Sequence, residues 1–584
     1  PPGQGDVFRL EVEFDEFTLD GDPETWQRIS LPLDDLKAGD FDRKTTVGVV
    51  FRHGAPNEAT RTLWFDLLTI EQNDDEAFLD MVQQKTFDFF WMEANPSNGL
   101  VRDRTGQNYA SIAAVGFGLS AMTVGIDRGW ITPEQGRERV LNTLEFFWTA
   151  EQSTAPNATG YKGFFYHFLD MNTGRRSGTN ELSTIDTALL LGGVLHVREY
   201  FVDDDEIRSL ADSIYHRVDW TWMQYRNPNN PTAAISHGWF PDPEGRANAD
   251  PSTGFIVHDW LGYNEAMILY ILALGSPTHP VGPEAWDAWA SGYGGQWQTH
   301  YGYTYLVFPP LFGHQYSHVW IDFRGIQDAF MEEKGIDYFE NSRRATLAQR
   351  AYHIANPGGY PNYSKDEWGL TASDTPDGYS ARGAPPPQND DGTIAPTAPG
   401  GSIAFAPDES IAALRTMHRK YPALWGPYGF RDAYNVDRNW FAQTYLGIDQ
   451  GPILLMIENH RTEAIWEVAM RNESIRRGLE RAGFTGVGVA VDDPVEVART
   501  DVLAVFPNPT ADRARVNYVL DAPSSVRLVL YDVLGRELTV LEDATRPAGE
   551  HQLDMDLTMR PSGLYLLVFE MGDRRTTRVL TKIE

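Results

Sequence analysis

At 584 residues, with 42% hydrophobic and 12% aromatic side chains, the chain can bury the cores of roughly two to four domains and is not disordered. A formal charge of −33 repels phosphate backbones and excludes nucleic acid as a partner, while leaving a neutral glucan compatible. Cysteine is absent, which excludes disulfides, thiolate metal sites and thiol nucleophiles. Only 8 of the 49 basic residues are lysine, a Lys-poor acidic balance suited to salty surroundings, where self-repulsion is screened. No run of about 18 apolar residues occurs, so no transmembrane helix is expected. The opening Pro-Pro-Gly-Gln-Gly has neither Met nor an apolar leader, as expected of a mature or truncated product.

In chain order, residues 1–75 alternate as β-strands, first in Phe8-Arg-Leu-Glu-Val-Glu-Phe14 and then over 25–33, 45–52 and 62–70. Their wording resembles the closing half of a galactose-binding-like jelly roll. From 76 to 484 the period becomes helical. Helices are predicted over 76–94, 110–128, 132–151, 182–201, 204–226, 262–275, 283–291, 320–333, 337–355, 407–419, 448–459 and 461–481. Thr132-Pro133 is a clean start, a cap followed by Pro at the first helical position. About a dozen helices separated by long loops predict an α/α toroid. The Pro-, Gly-, Asp- and Ser-rich stretch 370–402 reads as a lid-like loop. A linker is predicted over 485–502. Strands such as Val526-Arg-Leu-Val-Leu-Tyr-Asp532 make 503–584 a small Ig-like sandwich.

Two resemblances follow from quoted motifs. Phe506-Pro-Asn-Pro-Thr510, Leu528-Val-Leu-Tyr-Asp-Val-Leu-Gly-Arg536, Gly549-Glu-His551 and Ser562-Gly-Leu-Tyr-Leu-Leu567 resemble the type A sorting domain of type IX secretion. That resemblance implies export across an outer membrane, to the medium or the cell surface, through the type IX machinery. In the helical region Gly99-Leu-Val-Arg-Asp-Arg104, Ser183-Thr-Ile-Asp-Thr-Ala-Leu-Leu190, Tyr263-Asn-Glu-Ala-Met267, Phe312-Gly-His-Gln-Tyr-Ser-His318 and Gly447-Ile-Asp-Gln-Gly-Pro-Ile453 resemble the glycoamylase-like family. Its members include endo-β-1,2-glucanases. The resemblance implies an (α/α)6 barrel, a β-glucan substrate and an inverting mechanism.

Glycosidic cleavage uses two carboxyl groups, one protonated for the leaving oxygen and one that activates water. Glu265 follows Trp260 and Tyr263 and precedes an apolar helix; burial beside aromatic rings raises a carboxyl pKa and suits the acid. Asp186 lies in the first turn of an apolar helix that Ser183 or Thr184 can cap, and is the favoured base. Glu181 competes with it, and Asp449, at another helix entry, is a third candidate. Sugar contacts are expected from Tyr166, His167, Trp260, Tyr263, His314, His318, Arg324, Trp440, Asp449 and Gln450, because pyranose faces pack on aromatics and hydroxyls need fixed partners. Phe165, Trp239, Tyr316 and Trp320 are further candidates of the same kind.

His314 and His318 have the i, i+4 spacing of a metal pair, but no Glu follows the first and no third ligand is evident, so no metal is expected. No cofactor is expected either, since phosphate-cradling and dinucleotide glycine patterns are missing. The sequence thus reads as a secreted inverting endo-β-1,2-glucanase. Two alternatives stay open: a transglycosylase or hydrolase of another β-glucan linkage, and a surface glycan-binding protein without turnover.

Overall fold

Helices apolar around their whole circumference must be covered on every side, and that requirement sets the architecture. In the computed structural model, residues 75–225, 233–487 and, with short breaks, 503–582 are described. The strands predicted over 1–75 and most of the 485–502 linker lie outside the described residues.

Six buried segments pack in a closed cycle: Ile112–Asp127, Thr184–Tyr200, Met267–Gly275, the 3-10 turns between Leu311 and Val319, Thr397–Gly401 and Gly447–Thr462, which returns onto Ile112–Asp127. Outside them sit amphipathic partners. Asp205–His216 buries Ile207, Ala211, Ile214 and Tyr215, one helical stripe, against Thr184–Tyr200. Asp75–Met92, Pro133–Thr149, Tyr338–Ala355, Pro407–Lys420 and Glu473–Arg481 flank other members of the cycle.

The helix starts follow from side-chain chemistry. Thr132 and Gln135 form a reciprocal capping box ahead of Pro133. Ser111 and Ser183 each end a short strand and accept an N–H of the following first turn. A buried clamp ties three elements together: Arg128 donates to both carboxylate oxygens of Glu458 (2.9 to 3.1 Å), and Gln83 Nε2 donates to Oε2 at 2.6 Å.

Ile112–Asp127 and Thr184–Tyr200 approach too closely for side chains between them. A Cβ on Gly193 would lie 2.0 Å from Gly116 O, and one on Gly116 would lie 2.1 Å from Leu189 O. Backbone oxygens cannot move aside alone. Gly193→Ala is therefore expected to cost about 2–3 kcal/mol, read as a lowered denaturant midpoint with unchanged m-value.

Several predicted bounds shift. The 262–275 helix begins at Met267, and 204–226 stops at His216 before a 3-10 turn at Trp220–Met223 capped by Asp219. Of 320–333 only Ala329–Lys334 is helical, because Gly325 takes φ +71° and Asp328 starts a new helix. The span 461–481 divides at Glu463 (φ +61°) and Asn472, whose side chain caps Glu473–Arg481. The stretch 370–402 is not irregular throughout. It holds a hairpin, Ala372–Thr375 on Gly378–Ala381, and the buried Thr397–Gly401 segment of the cycle.

In 503–582 two antiparallel sheets share one core. Leu503–Phe506, Arg513–Leu520 and Gly549–Asp556 form one; Glu537–Arg546, Ser524–Asp532, Gly563–Met571 and Arg574–Lys582 form the other. Alternate residues Ala514, Val516, Tyr518 and Leu520 face inward, and Tyr518 meets Phe569 of the other sheet at 4.8 Å between ring centres.

Candidate active site

The N-terminal ends of the buried helices are stitched together by loops. Gly447 N donates to Asp103 O (2.8 Å), Ile112 N to His167 O (3.2 Å) and Thr184 N to His237 O (3.3 Å). Trp260 Nε1 donates to Thr184 Oγ1 at 3.0 Å, and Thr397 Oγ1 to Asp449 O at 2.8 Å. These links gather carboxylates from distant parts of the sequence. Helix N-termini carry partial positive charge, which offsets part of the repulsion among them.

A four-stranded sheet places the first group. Phe165 pairs with Ser183, and Leu182 with Trp239. Ser183 Oγ accepts the Asp186 N–H at 3.2 Å and donates to Asp186 Oδ2 at 2.5 Å. His167 bridges two acids, with Nδ1 2.8 Å from Glu181 Oε1 and Nε2 3.5 Å from Asp186 Oδ1. Burial alone would depress its pKa, but the Asp186 and Glu181 carboxylates push it up to about 9. The imidazolium in turn holds Glu181 below its ordinary range against burial. Asp186 is 5% exposed, and burial raises its pKa despite His167 and Ser183.

Glu265 sits in the bend ahead of Met267, one residue before the helix cap. Ser317 Oγ donates to its carbonyl (3.0 Å) while accepting from Ile268 N. Its Oε2 is buried and meets no hydrogen-bond partner. Burial, with a smaller contribution from the Asp186 charge, raises its pKa to about 7. A carboxyl held near neutrality is half protonated there and can give its proton to a leaving group.

Nearby lies a second cluster, of which sequence reasoning assigned only Asp449. Arg104 donates to Asp103 (3.2 Å) and to Asp374 (2.8 Å). Thr444 Oγ1 reaches Asp374 Oδ2, and the Asp374 N–H donates to Asp432 Oδ2, both at 2.6 Å. Asp432 and Asp449 are hydrogen-bonded to each other; burial first, then their mutual repulsion, raises Asp449 well above the usual carboxylate range. Both effects favour a proton shared within the pair. Gly99-to-Arg104 was visible as a motif, but its link to the 372–381 hairpin spans about 270 residues and has no local signal.

The predicted contacts divide. His167 and Trp260 lie with the carboxylates, Trp260 stacked on His237 at 4.0 Å. Asp449 joins the second cluster, and Gln450 beside it is buried with Nε2 on Phe430 O. Tyr263, His314 and His318 are sealed in the core instead. Tyr263 and His314 share a hydrogen bond (3.1 Å), and Ser342 bonds both Tyr263 and His318. Trp320 is likewise buried, bonded to Ser120. Tyr166 is buried under the Arg176 guanidinium (4.7 Å). Trp440 is half-buried on the hairpin preceding Thr444. Arg324 pairs with Asp322 and Glu463, and Glu463 ends the 16-residue helix whose first turn holds Asp449. It therefore lies about 20 Å from the carboxylates, at the other end of the ring.

The ligand atoms of His167, Glu181 and Asp186 lie within 4.8 Å of one another, the grouping most able to hold a metal ion among the described residues. Binding would require His167 to release a proton that two acids retain. Ion pairing within the triad accounts for the geometry without a cation.

Residues 257–473 match the family model described as "Putative glucoamylase", and 504–582 match the secretion system C-terminal sorting domain. The chain is 34% identical over 442 residues to the exo β-1,2-glucooligosaccharide sophorohydrolase (non-reducing end) of Parabacteroides distasonis; the match spans 70% of this chain but 58% of that protein. Among solved structures, a "putative glucoamylase" of Bacteroides uniformis is 34% identical, with TM-score 0.64, covering 71% of this chain and 99% of that one. An endo-β-1,2-glucanase of Chitinophaga pinensis, bound to sophorotriose and glucose, is 31% identical with TM-score 0.62, covering 71% and 99%.

Proposed function

Because the chain belongs to the glycoamylase-like family, we propose that it is an inverting glycoside hydrolase of β-1,2-linked glucan, with Glu265 as proton donor and Asp186 directing water. The observation that carries this reading is Glu265, whose buried Oε2 meets no hydrogen-bond partner and whose pKa burial raises to about 7, within range of the Asp186 charge. Glu181 is the weaker base, since its carboxylate is committed to His167, which it orients. Asp449 is also weaker, because burial and the neighbouring Asp432 favour its protonated form. The cycle of six inner segments and their outer partners is read as an (α/α)6 barrel over 76–484. The two sheets of 503–584 are read as an Ig-like sandwich.

The sorting domain directs the protein through type IX secretion to the cell surface or medium. No helix among the described residues is long and apolar enough to cross a membrane.

The test is incubation with β-1,2-, β-1,3-, β-1,4- and β-1,6-glucans, with product sizing and anomer detection. New reducing ends from β-1,2-glucan alone, first as the α-anomer, are expected. A ladder of sizes marks endo action; sophorose alone places the enzyme with the exo-acting relative. Turnover of another linkage only, or tight binding without new ends, overturns the reading.

A further inference from the structure

The helix Met267–Gly275 begins without a cap of its own. All nine of its residues are buried, and Ala266 at the cap position has no side chain able to accept a first-turn N–H. The acceptor comes from another member of the ring. Ser317, in the 3-10 turn Tyr316–Val319 and 2% exposed, accepts the Ile268 N–H at 3.0 Å and donates to Glu265 O at 3.0 Å. One hydroxyl is thus wedged between a carbonyl and an amide three residues apart, the groups that would otherwise close a 3-10 turn on each other. The backbone just before is also held by side chains. Gln296 accepts the Tyr263 N–H at 2.8 Å and donates to Tyr263 O at 3.0 Å, and Asn264 Oδ1 accepts the Ala266 N–H at 2.9 Å. Ser317 is itself fixed: Ile321 N donates to its carbonyl at 3.2 Å, and Trp466 Nε1 donates to the carbonyl of His318 beside it.

Whether Glu265 lies in a bend or in the first helical turn decides where its carboxyl points, because adjacent helical residues differ by about 100° around the axis. With the hydroxyl gone, Glu265 O and Ile268 N can pair directly and draw Glu265 into the helix. We infer that Ser317 is a positioning residue for the proton donor, its hydroxyl propping the turn open so that the Glu265 carboxyl stays where the bend places it. This role rests on the proposed reading of Glu265 as general acid. It also has an electrostatic consequence. The titratable neighbours coupled to Glu265 are Asp186, from the Thr184–Tyr200 helix, and Tyr316, from the same turn as Ser317. A carboxyl drawn into a first helical turn meets the positive end of the helix, which favours its charged form. Its titration would then fall from about 7 toward the ordinary carboxylate range.

The test compares the full chain with Ser317→Ala on β-1,2-glucan, beside Ser120→Ala, which removes a buried hydroxyl that bonds Trp320 instead of the Glu265 backbone. Ser317→Ala is expected to lower kcat about tenfold to hundredfold with KM little changed, since a misplaced acid slows the chemical step without touching the sugar contacts. The alkaline limb of its pH profile should move below about 7. Ser317→Thr keeps the hydroxyl and should recover most of the lost kcat. Ser317→Cys fills the same space with a weaker donor, should follow alanine, and carries the comparison if alanine does not fold. Ser120→Ala should lower the melting temperature and leave kcat and the limb in place. A Ser317→Ala enzyme that loses no more kcat than Ser120→Ala, or keeps its limb at the wild-type position, overturns the positioning role and leaves the catalytic reading standing. Turnover retained by Glu265→Gln removes both.

Discussion

Replacing Glu265 by glutamine is expected to lower kcat/KM on β-1,2-glucan by about 10²–10⁴, the span general acid catalysis supplies. Glutamine keeps the shape and cannot donate the proton, so folding and oligosaccharide binding should persist. The wild-type pH profile carries the same signature. Only the protonated carboxyl serves as donor, and burial raises its pKa to about 7, so activity should fall as pH rises through about 7. Glu265→Gln should erase that alkaline limb from whatever slow activity remains. A profile flat from pH 6 to 8 in the wild type, or near-normal turnover by the variant, would assign the donor elsewhere. His167 is not the source of such a limb, because its two acid partners move its titration up to about 9.

What was legible in the sequence followed from local rules. A hydroxyl cap ahead of an apolar run marks a buried helix entry, as in Ser183-Thr-Ile-Asp186, and a carboxylate just before an apolar run stands out, as at Glu265. The twelve helical stretches were visible because their periodicity is local. Their ends failed where single residues broke the helix without changing composition, as at Gly325 and Glu463. The 370–402 stretch misled because Pro and Gly usually mark surface chain; here Gly400 and Gly401 allow close contact, with a Cβ on Gly401 lying 2.7 Å from Gln315 Oε1. His314, His318 and Tyr263 matched a sugar-binding composition, yet each finds its partner inside the core. Composition does not distinguish an aromatic facing a cleft from one facing a helix. The Arg104–Asp374–Asp432 chain joins loops hundreds of residues apart and needed coordinates.

Asp186→Asn should separate function from stability most sharply. The carboxylate is buried, and its charged form is opposed by burial and by Glu181, favoured only by His167, the Ser183 hydroxyl and a backbone N–H. Asparagine retains the size and can still accept from Ser183 Oγ while shedding the charge. Stability should change little, because the desolvation cost that is shed offsets the lost attraction to the buried His167 imidazolium, which Glu181 still pairs. Activity should fall by about 10²–10⁴, since an amide cannot take the proton of the attacking water. His167 adds an internal check. With Asp186 neutral it loses the largest influence raising its pKa, so its titration, followed by NMR, should move down from about 9 toward its ordinary range while Glu181 still pairs with it. An Asp186→Asn protein that keeps its turnover but shows the His167 shift would demote Asp186 to a structural partner of the imidazole. Loss of turnover with the same shift, and an unchanged melting temperature, fits a base that the fold tolerates at a cost in order to use it.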